Sequence, residues 1–419
     1  MTRLRAVLLA VALLCPAKMA QADIVLKWNE IAVKTMIQQG QSPFGQARVA
    51  AIVQLAVFEA VNAITGDYEP YIGIAAPAGA SLDAAAATAA YQVLKNYFPA
   101  ADIDQEYMDS MNAIPNGLAK TSGIDVGKAA AKAMIDKRVG DGSSPPLISP
   151  VGLPGPGVWQ VTLPPGCAAG TTGGANYQWQ NVTPFGVPDV VAFRPSPPPS
   201  LTSSEYTKDY NEVKRVGDTD STERPQDRSD VARFYQASSP TLVFNMALRQ
   251  VAEAEHRSLS DNARALALLN MATNDSLVAS FSAKYHYNFW RPENAIRFLS
   301  DYGNPKTPPD ATYVPFISTP CFPSYPSNHA SGSNGAAEIL RRVYGEGGHT
   351  IKLTNPLNPA VANLEFDYST FNEVCDDVDD ARVFGGIHYR FDQVAGNRLG
   401  REIATYVYKN NLRKAKGPK

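Results

Sequence analysis

Two long tracts of three- and four-residue apolar periodicity flank a block too rich in proline and glycine for helix or central strand. This pattern restricts the chain to a helix-packed fold. The first tract runs from Asp23 to about Gly140. Within it, "DIVLKWNEIAVKTMIQQ" and "QARVAAIVQLAVFEAVNAI" line apolar side chains along one stripe of a 3.6-residue helix. "SLDAAAATAAYQVLKNYF" opens on Ser81 and Asp83, which suit a helix start, and "IDVGKAAAKAMIDKRVG" closes on Gly140, which suits a C-cap. The second tract begins near Ser203. It includes "LVFNMALRQVAEAE", "NARALALLNMATNDSLVASFSAKYHYNFW", "HASGSNGAAEILRRVY" and "GIHYRFDQVAGNRLGREIATYVYKNNL". No strong alternating strand pattern and no internal repeat stands out. The expected fold class is all-α, of helix-bundle architecture.

The block between the tracts, residues 141–200, contains "GSSPPLISPVGLPGPGVW" and "RPSPPPS". Trp159, Tyr177, Trp179 and Phe185 give it apolar anchors that a plain linker lacks, so an ordered insertion lying over the helical body is expected. The division read from the sequence is a 23–140 helical region, this 141–200 insertion and a 201–419 helical catalytic domain. Residues 1–22 have the form of a secretory signal. Arg3 and Arg5 precede an apolar run from Ala6 to Leu14, and Ala20-Gln21-Ala22 fits a cleavage triplet. The mature chain is thus expected to start at Asp23 and to be periplasmic or extracellular. No later stretch reads as a membrane span.

The chain carries 38 lysines and arginines against 40 acidic residues, a net charge of -2. No overall field argues for nucleic acid or an anionic membrane as partner, so any anion must be held by local clustering. Of four cysteines, Cys15 leaves with the signal, and the spacing of Cys167, Cys321 and Cys375 matches no zinc pattern. An oxidising compartment permits one disulfide. Cys321 and Cys375, each beside a motif, are the expected pair, with Cys167 free.

Three motifs carry candidate chemistry. In "KYHYNFWRPENAIR", Lys284 and Arg291 are seven residues apart, about two helical turns, and Pro292 is expected to end or kink their helix. Tyr285, Tyr287, Phe289 and Trp290 imply burial, and buried cations need anionic partners. In "PSYPSNHASGSNGAAEIL", Ser327 suits a helix N-cap, and free amides there form an anion cradle beside His329. A capped helix with an incidental histidine explains that stretch equally well. In "ARVFGGIHYRFDQVAG", Arg382 precedes Gly385 and Gly386. His388 and Asp392 are read as an i,i+4 pair on one helix, the carboxylate orienting the imidazole. An ordinary surface pair is the plain alternative. Of the remaining histidines, His286 need not face the site, and His256 and His349 are read as surface residues. Lys284, Arg291 and Arg382 together repel a divalent cation and suit an oxyanion.

In order and spacing the three motifs resemble the vanadium-dependent haloperoxidase and type 2 phosphatidic acid phosphatase superfamily. Its pattern is Lys-x6-Arg-Pro, then Pro-Ser-Gly-His, then Ser-Arg-x5-His-x3-Asp. The N-terminal "WNEIAVKTMI" and "AVFEAVNAI" look like segments of exported bacterial haloperoxidase-like proteins. The resemblance implies that Lys284, Arg291 and Arg382 neutralise a bound vanadate or phosphate, with hydrogen bonds from Ser327 and the Asn328 amide. It implies His388 as the ligand to vanadium or nucleophile to phosphorus, His329 as acid–base partner, and Asp392 as the group orienting His388. Lys284 would polarise bound peroxide, and Trp290 and Phe322 match aromatic positions beside the site. Two departures stand out: Asn328 replaces the usual Gly, where its side chain threatens to crowd the anion, and Ala381 replaces the usual Ser. The resemblance implies oxidation of halide by hydrogen peroxide at a His-bound vanadate. An exported acid phosphatase acting through phospho-His388 and a non-catalytic oxyanion-binding homologue are the alternatives.

Overall fold

The computed structural model describes residues 23–415, and the expected signal at 1–22 lies outside them. The described residues form thirteen α-helices, two short 3-10 helices and one two-stranded sheet. The first half supplies α1 (Ile24–Gln38), α2 (Pro43–Thr65), α3 (Leu82–Tyr97), α4 (Asp104–Asn112) and α5 (Leu118–Lys137). Their starts follow the side chains. Asp23 caps α1 by accepting from Val25 N at 2.7 Å, Ser42 caps α2 with Pro43 in its first turn, and Ser81 caps α3. Gly140 does not cap α5. That helix ends at Lys137 with Arg138 at the cap, and Gly140 (φ 69°) shapes the turn beyond it.

Helix α2 corrects one expectation, since by length and composition it is apolar enough to cross a bilayer. Its apolar residues face protein on every side: Ala47, Ile52, Val53, Leu55 and Ala56 are fully buried. A helix that is apolar all round is what a large core demands of its central members.

The second half comprises α6 (Ser204–Val216), α7 (Gln226–Ala237), α8 (Pro240–Glu255), α9 (Leu259–Tyr287), α10 (Pro292–Ile296), α11 (Asn328–Tyr344), α12 (Phe371–Val383) and α13 (Arg390–Asn410). Helix α9 is the axis of the molecule. It packs against α2, α11 and α13, and one continuous core runs through both halves. Helices α11 and α13 lie so close that a Cβ at Gly400 would sit 2.2 Å from the Ser331 carbonyl oxygen. That approach brings their N-termini together, with Ser327 N donating to Asp392 O at 3.0 Å.

An antiparallel hairpin, β1 (Gly347–Thr354) and β2 (Glu365–Thr370), is absent from the sequence reading. Ile351 and Leu353 point inward beside α8 while their neighbours face out. The alternation is real but only two residues deep, too short to stand out from helical periodicity.

Residues 141–200 hold only the 3-10 helices Tyr177–Asn181 and Val191–Phe193. Trp159, Trp179 and Phe185 are buried, and Tyr177 packs edge-on against Tyr285. Asp275, wholly buried on α9, accepts backbone N–H bonds from Phe185 (2.7 Å), Gly186 (2.6 Å) and Val187 (3.2 Å). The disulfide joins Cys167 to Cys321, leaving Cys375 free and buried, which corrects the expected pairing. Cys375 faces the core from α12, while the insertion folds back and brings Cys167 within 4.9 Å (Cα–Cα) of Cys321. Closing a loop of 154 residues stabilises by about 5 kcal/mol in the chain-entropy account.

Candidate active site

The three motifs meet where α9 ends and α11 and α13 begin. Lys284 lies in the last turn of α9, but the helix stops at Tyr287, where Asn288 adopts a left-handed conformation (φ 46°). Arg291 is extended and caps α10, and Pro292 is that helix's first residue. The two cations therefore do not share a helical stripe. A tight turn carries Arg291 back beside Lys284, and proline starts the next helix rather than ending the last. Likewise His388 precedes α13, where Tyr389 is the N-cap and Asp392 the third residue. The turn before it depends on Gly386 (φ 81°), where a Cβ would sit 2.2 Å from the Gly217 carbonyl oxygen.

Lys284 and Arg291 are fully buried, and Arg382 is 2% exposed. Lys284 Nζ donates to the carbonyls of Pro323 (2.9 Å) and Ser324 (2.6 Å). Arg291 Nε donates to Phe322 O (2.9 Å), and its Nη1 donates to Ile387 O (3.0 Å) and His388 Nε2 (2.9 Å). An arginine only donates, so His388 Nε2 holds a lone pair and Nδ1 carries the proton. Nδ1 donates to Asp392 Oδ2 at 2.7 Å. That oxygen also accepts from Ser324 Oγ (2.5 Å) and Tyr389 N (3.2 Å). A guest bonding to Nε2 takes the place of the Arg291 contact.

Burial, then repulsion from Arg291, Lys284 and Arg382, holds His388 well below the ordinary histidine range, so its imidazole is neutral near pH 7. Burial and Arg382 act on His329 in the same direction. Burial, and next Arg291, drives Lys284 well below the usual lysine range. Burial pushes Asp392 up to about 6, and its Oδ1 has no partner. One carboxylate among three cations leaves the cluster short of negative charge.

Arg382, Asn328, His329 and His388 line a cavity of about 260 Å³. Its walls are apolar: Phe44 from the start of α2, Pro240 from α8, Leu277 from α9, and Phe322. The Phe322 ring also lies 5.1 Å from the Arg291 guanidinium and 5.4 Å from Lys284 Nζ. Four buried N–H donor atoms here have no acceptor: Arg291 Nη2, Arg382 Nε and Nη1, and Asn328 Nδ2. Orphaned buried donors on a cationic floor fit an acceptor-only, multiply charged guest, so the residues present suit an oxyanion such as vanadate or phosphate.

Most of the predicted residues converge. Ser327 does cap α11, its Oγ accepting from Ala330 N at 3.3 Å, and is fully buried beside the cluster. Trp290 does not join. It is 1% exposed, stacks on Tyr206 within an aromatic cluster behind Arg291, and borders a different hollow. Adjacent residues in extended backbone point opposite ways, so burying Arg291 toward the cavity turns Trp290 away. His286 and His256 are exposed, and His349 is half-buried against Phe371 rather than on the surface. Sequence reasoning missed Ser324, although it lies inside the quoted "PSYPSNH", and the wall residues Phe44, Pro240 and Leu277, which look like ordinary core.

A helical bundle with a buried cationic cradle where two helix N-termini meet is the setting in which this chain is similar to the vanadium haloperoxidases. Residues 264–417 match the family described as the VCPO second helical-bundle domain. The vanadium chloroperoxidase of Curvularia inaequalis is 26% identical over 201 residues, covering 40% of this chain and 32% of that protein. The chain thus spans about a third of the length of that curated relative. Among solved structures, a bacterial vanadium-dependent iodoperoxidase superposes with a TM-score of 0.79 at 21% identity, covering 95% of this chain and 98% of that one. An apo-type bacterial vanadium-dependent chloroperoxidase gives 0.70 at 16%, covering 87% and 92%. Both share the fold.

Proposed function

We propose that this chain is a vanadium-dependent haloperoxidase-type enzyme that holds vanadate at His388 and uses hydrogen peroxide to oxidise halide. The observation that carries the reading is the set of unpaired donors of Arg291 and Arg382 beside the lone pair of His388 Nε2. When bound, vanadate would supply a Lewis-acidic centre that activates peroxide toward halide. The protein's part is electrostatic and positional. Lys284, Arg291 and Arg382 neutralise the guest's oxygens in a site from which water is largely excluded, where fixed charges act most strongly. Asp392 and Ser324 hold the proton on His388 Nδ1 and keep Nε2 free to bond. His329, neutral near pH 7, lines the same cavity and is set to take a proton from an oxygen of the guest. Export into an oxidising compartment belongs to the same proposal and suits the Cys167–Cys321 bond.

A neutral Nε2 can equally attack phosphorus, which favours a phosphatase acting through His388 as the second reading. One paired assay separates the two. Halide oxidation by peroxide is measured with and without added vanadate, beside hydrolysis of a phosphate ester. Vanadate-dependent oxidation is the expected result. Ester hydrolysis inhibited by vanadate would install the second reading, and neither activity, with no vanadate retained, would defeat both.

A further inference from the structure

Asn328 stands where the superfamily pattern has glycine, yet its backbone does not call for one. It is the first residue of α11 and is not among the residues with positive φ. The side chain is 5% exposed and lines the cavity together with His329, Arg382 and His388. Its Oδ1 accepts from Ser280 Oγ at 2.6 Å, and Ser280 is fully buried on α9. Its Nδ2 is buried without an acceptor. The side chain is therefore held by one end and offers donors from the other. A carboxamide left so would cost stability with no return unless a guest supplies the acceptor.

We propose that Asn328, fixed by Ser280, is an additional side-chain donor to the bound oxyanion and sets its affinity in this chain. The inference rests on the reading of the cavity as an oxyanion site. The amide adds a directed hydrogen bond without adding charge, so it strengthens the grip without enlarging the cationic surplus of Lys284, Arg291 and Arg382. Ser280 acts only through Asn328 and is a positioning residue.

The test is calorimetric binding of inorganic phosphate and of orthovanadate to the full chain, with thermal melts to confirm folding. Asn328→Gly is expected to weaken both by about tenfold or more, the scale of a hydrogen bond to a charged group. Asn328→Asp, which repels the anion, is expected to weaken them further. Ser280→Ala is expected to fall between wild type and Asn328→Gly. Wild-type affinity in either Asn328 variant would overturn the proposal, because the side chain would then merely occupy space. Should the wild type bind neither anion, the reading of the cavity falls too; intact wild-type binding with indifferent variants sinks only the role of Asn328.

Discussion

His388 and His329 sit on the same cavity but make different use of it. The first has its proton fixed on Nδ1 by Asp392, so only Nε2 is available to a guest. The second lies half-buried at the start of α11 with no such orienting carboxylate among its described partners. His388→Ala is therefore expected to abolish tight vanadate retention, exceeding the roughly 10–100-fold loss that follows removal of a ligand's orienting partner. His329→Ala is expected to keep binding but to lose about 10²–10⁴-fold in turnover. Equilibrium dialysis beside steady-state halide oxidation checks both. Unchanged retention in the His388 variant would defeat its assignment as ligand. The charged members of the site were legible because their residue types and spacings form a pattern. Ser324 and Ser280 were not, since a serine signals nothing until its neighbours in space are known. Asn328, expected to crowd the anion, lines the cavity with its side chain tethered by Ser280.

At the scale of elements, helix existence was legible and helix ends were less so. Periodicity located α1, α2, α3, α5, α8, α9, α11 and α13, while α4, α6, α7, α10 and α12 did not stand out. Nothing in "KYHYNFWRP" announced that the backbone turns at Asn288, because an apolar run satisfies a helix and a buried turn alike. The two histidine motifs depend on such turns more than on the helices that follow them. Gly386 shows why: its positive φ and its contact with Gly217 leave no room for a side chain. Gly386→Ala is expected to cost about 1–3 kcal/mol in backbone strain alone, with more from the clash. It should displace His388, so that both the urea midpoint and phosphate binding fall. A variant that melts and binds like wild type would show that the turn has another way to close.

For the whole molecule, Asp275 links insertion to bundle through three backbone amides, and its charge is costly where it lies. Burial pushes its pKa up to about 6, above the ordinary carboxylate range. Between about pH 4 and 6 the folded protein keeps this proton while the unfolded chain releases it, so this group's contribution to stability declines as pH rises through that window. A rise of that size corresponds to about 3 kcal/mol. Asp275→Asn removes the titration and one acceptor oxygen. The variant should be less stable throughout, but its deficit should shrink between pH 4 and 6; urea unfolding at several pH values reads this, and a constant deficit would contradict it. The class of fold was legible from periodicity alone. The disulfide was not, because cysteine position says nothing about how a 154-residue loop folds back.

Phe44 and Pro240 belong to helices outside the 264–417 stretch that matches the family, while Lys284, Arg291, Arg382, His329 and His388 all lie inside it. Part of the contour of the hollow, though not the Leu277 and Phe322 walls, is thus written in a separate part of the chain from its charge. Replacing Phe44 and Pro240 would therefore reshape the hollow while leaving every one of its charged side chains in place.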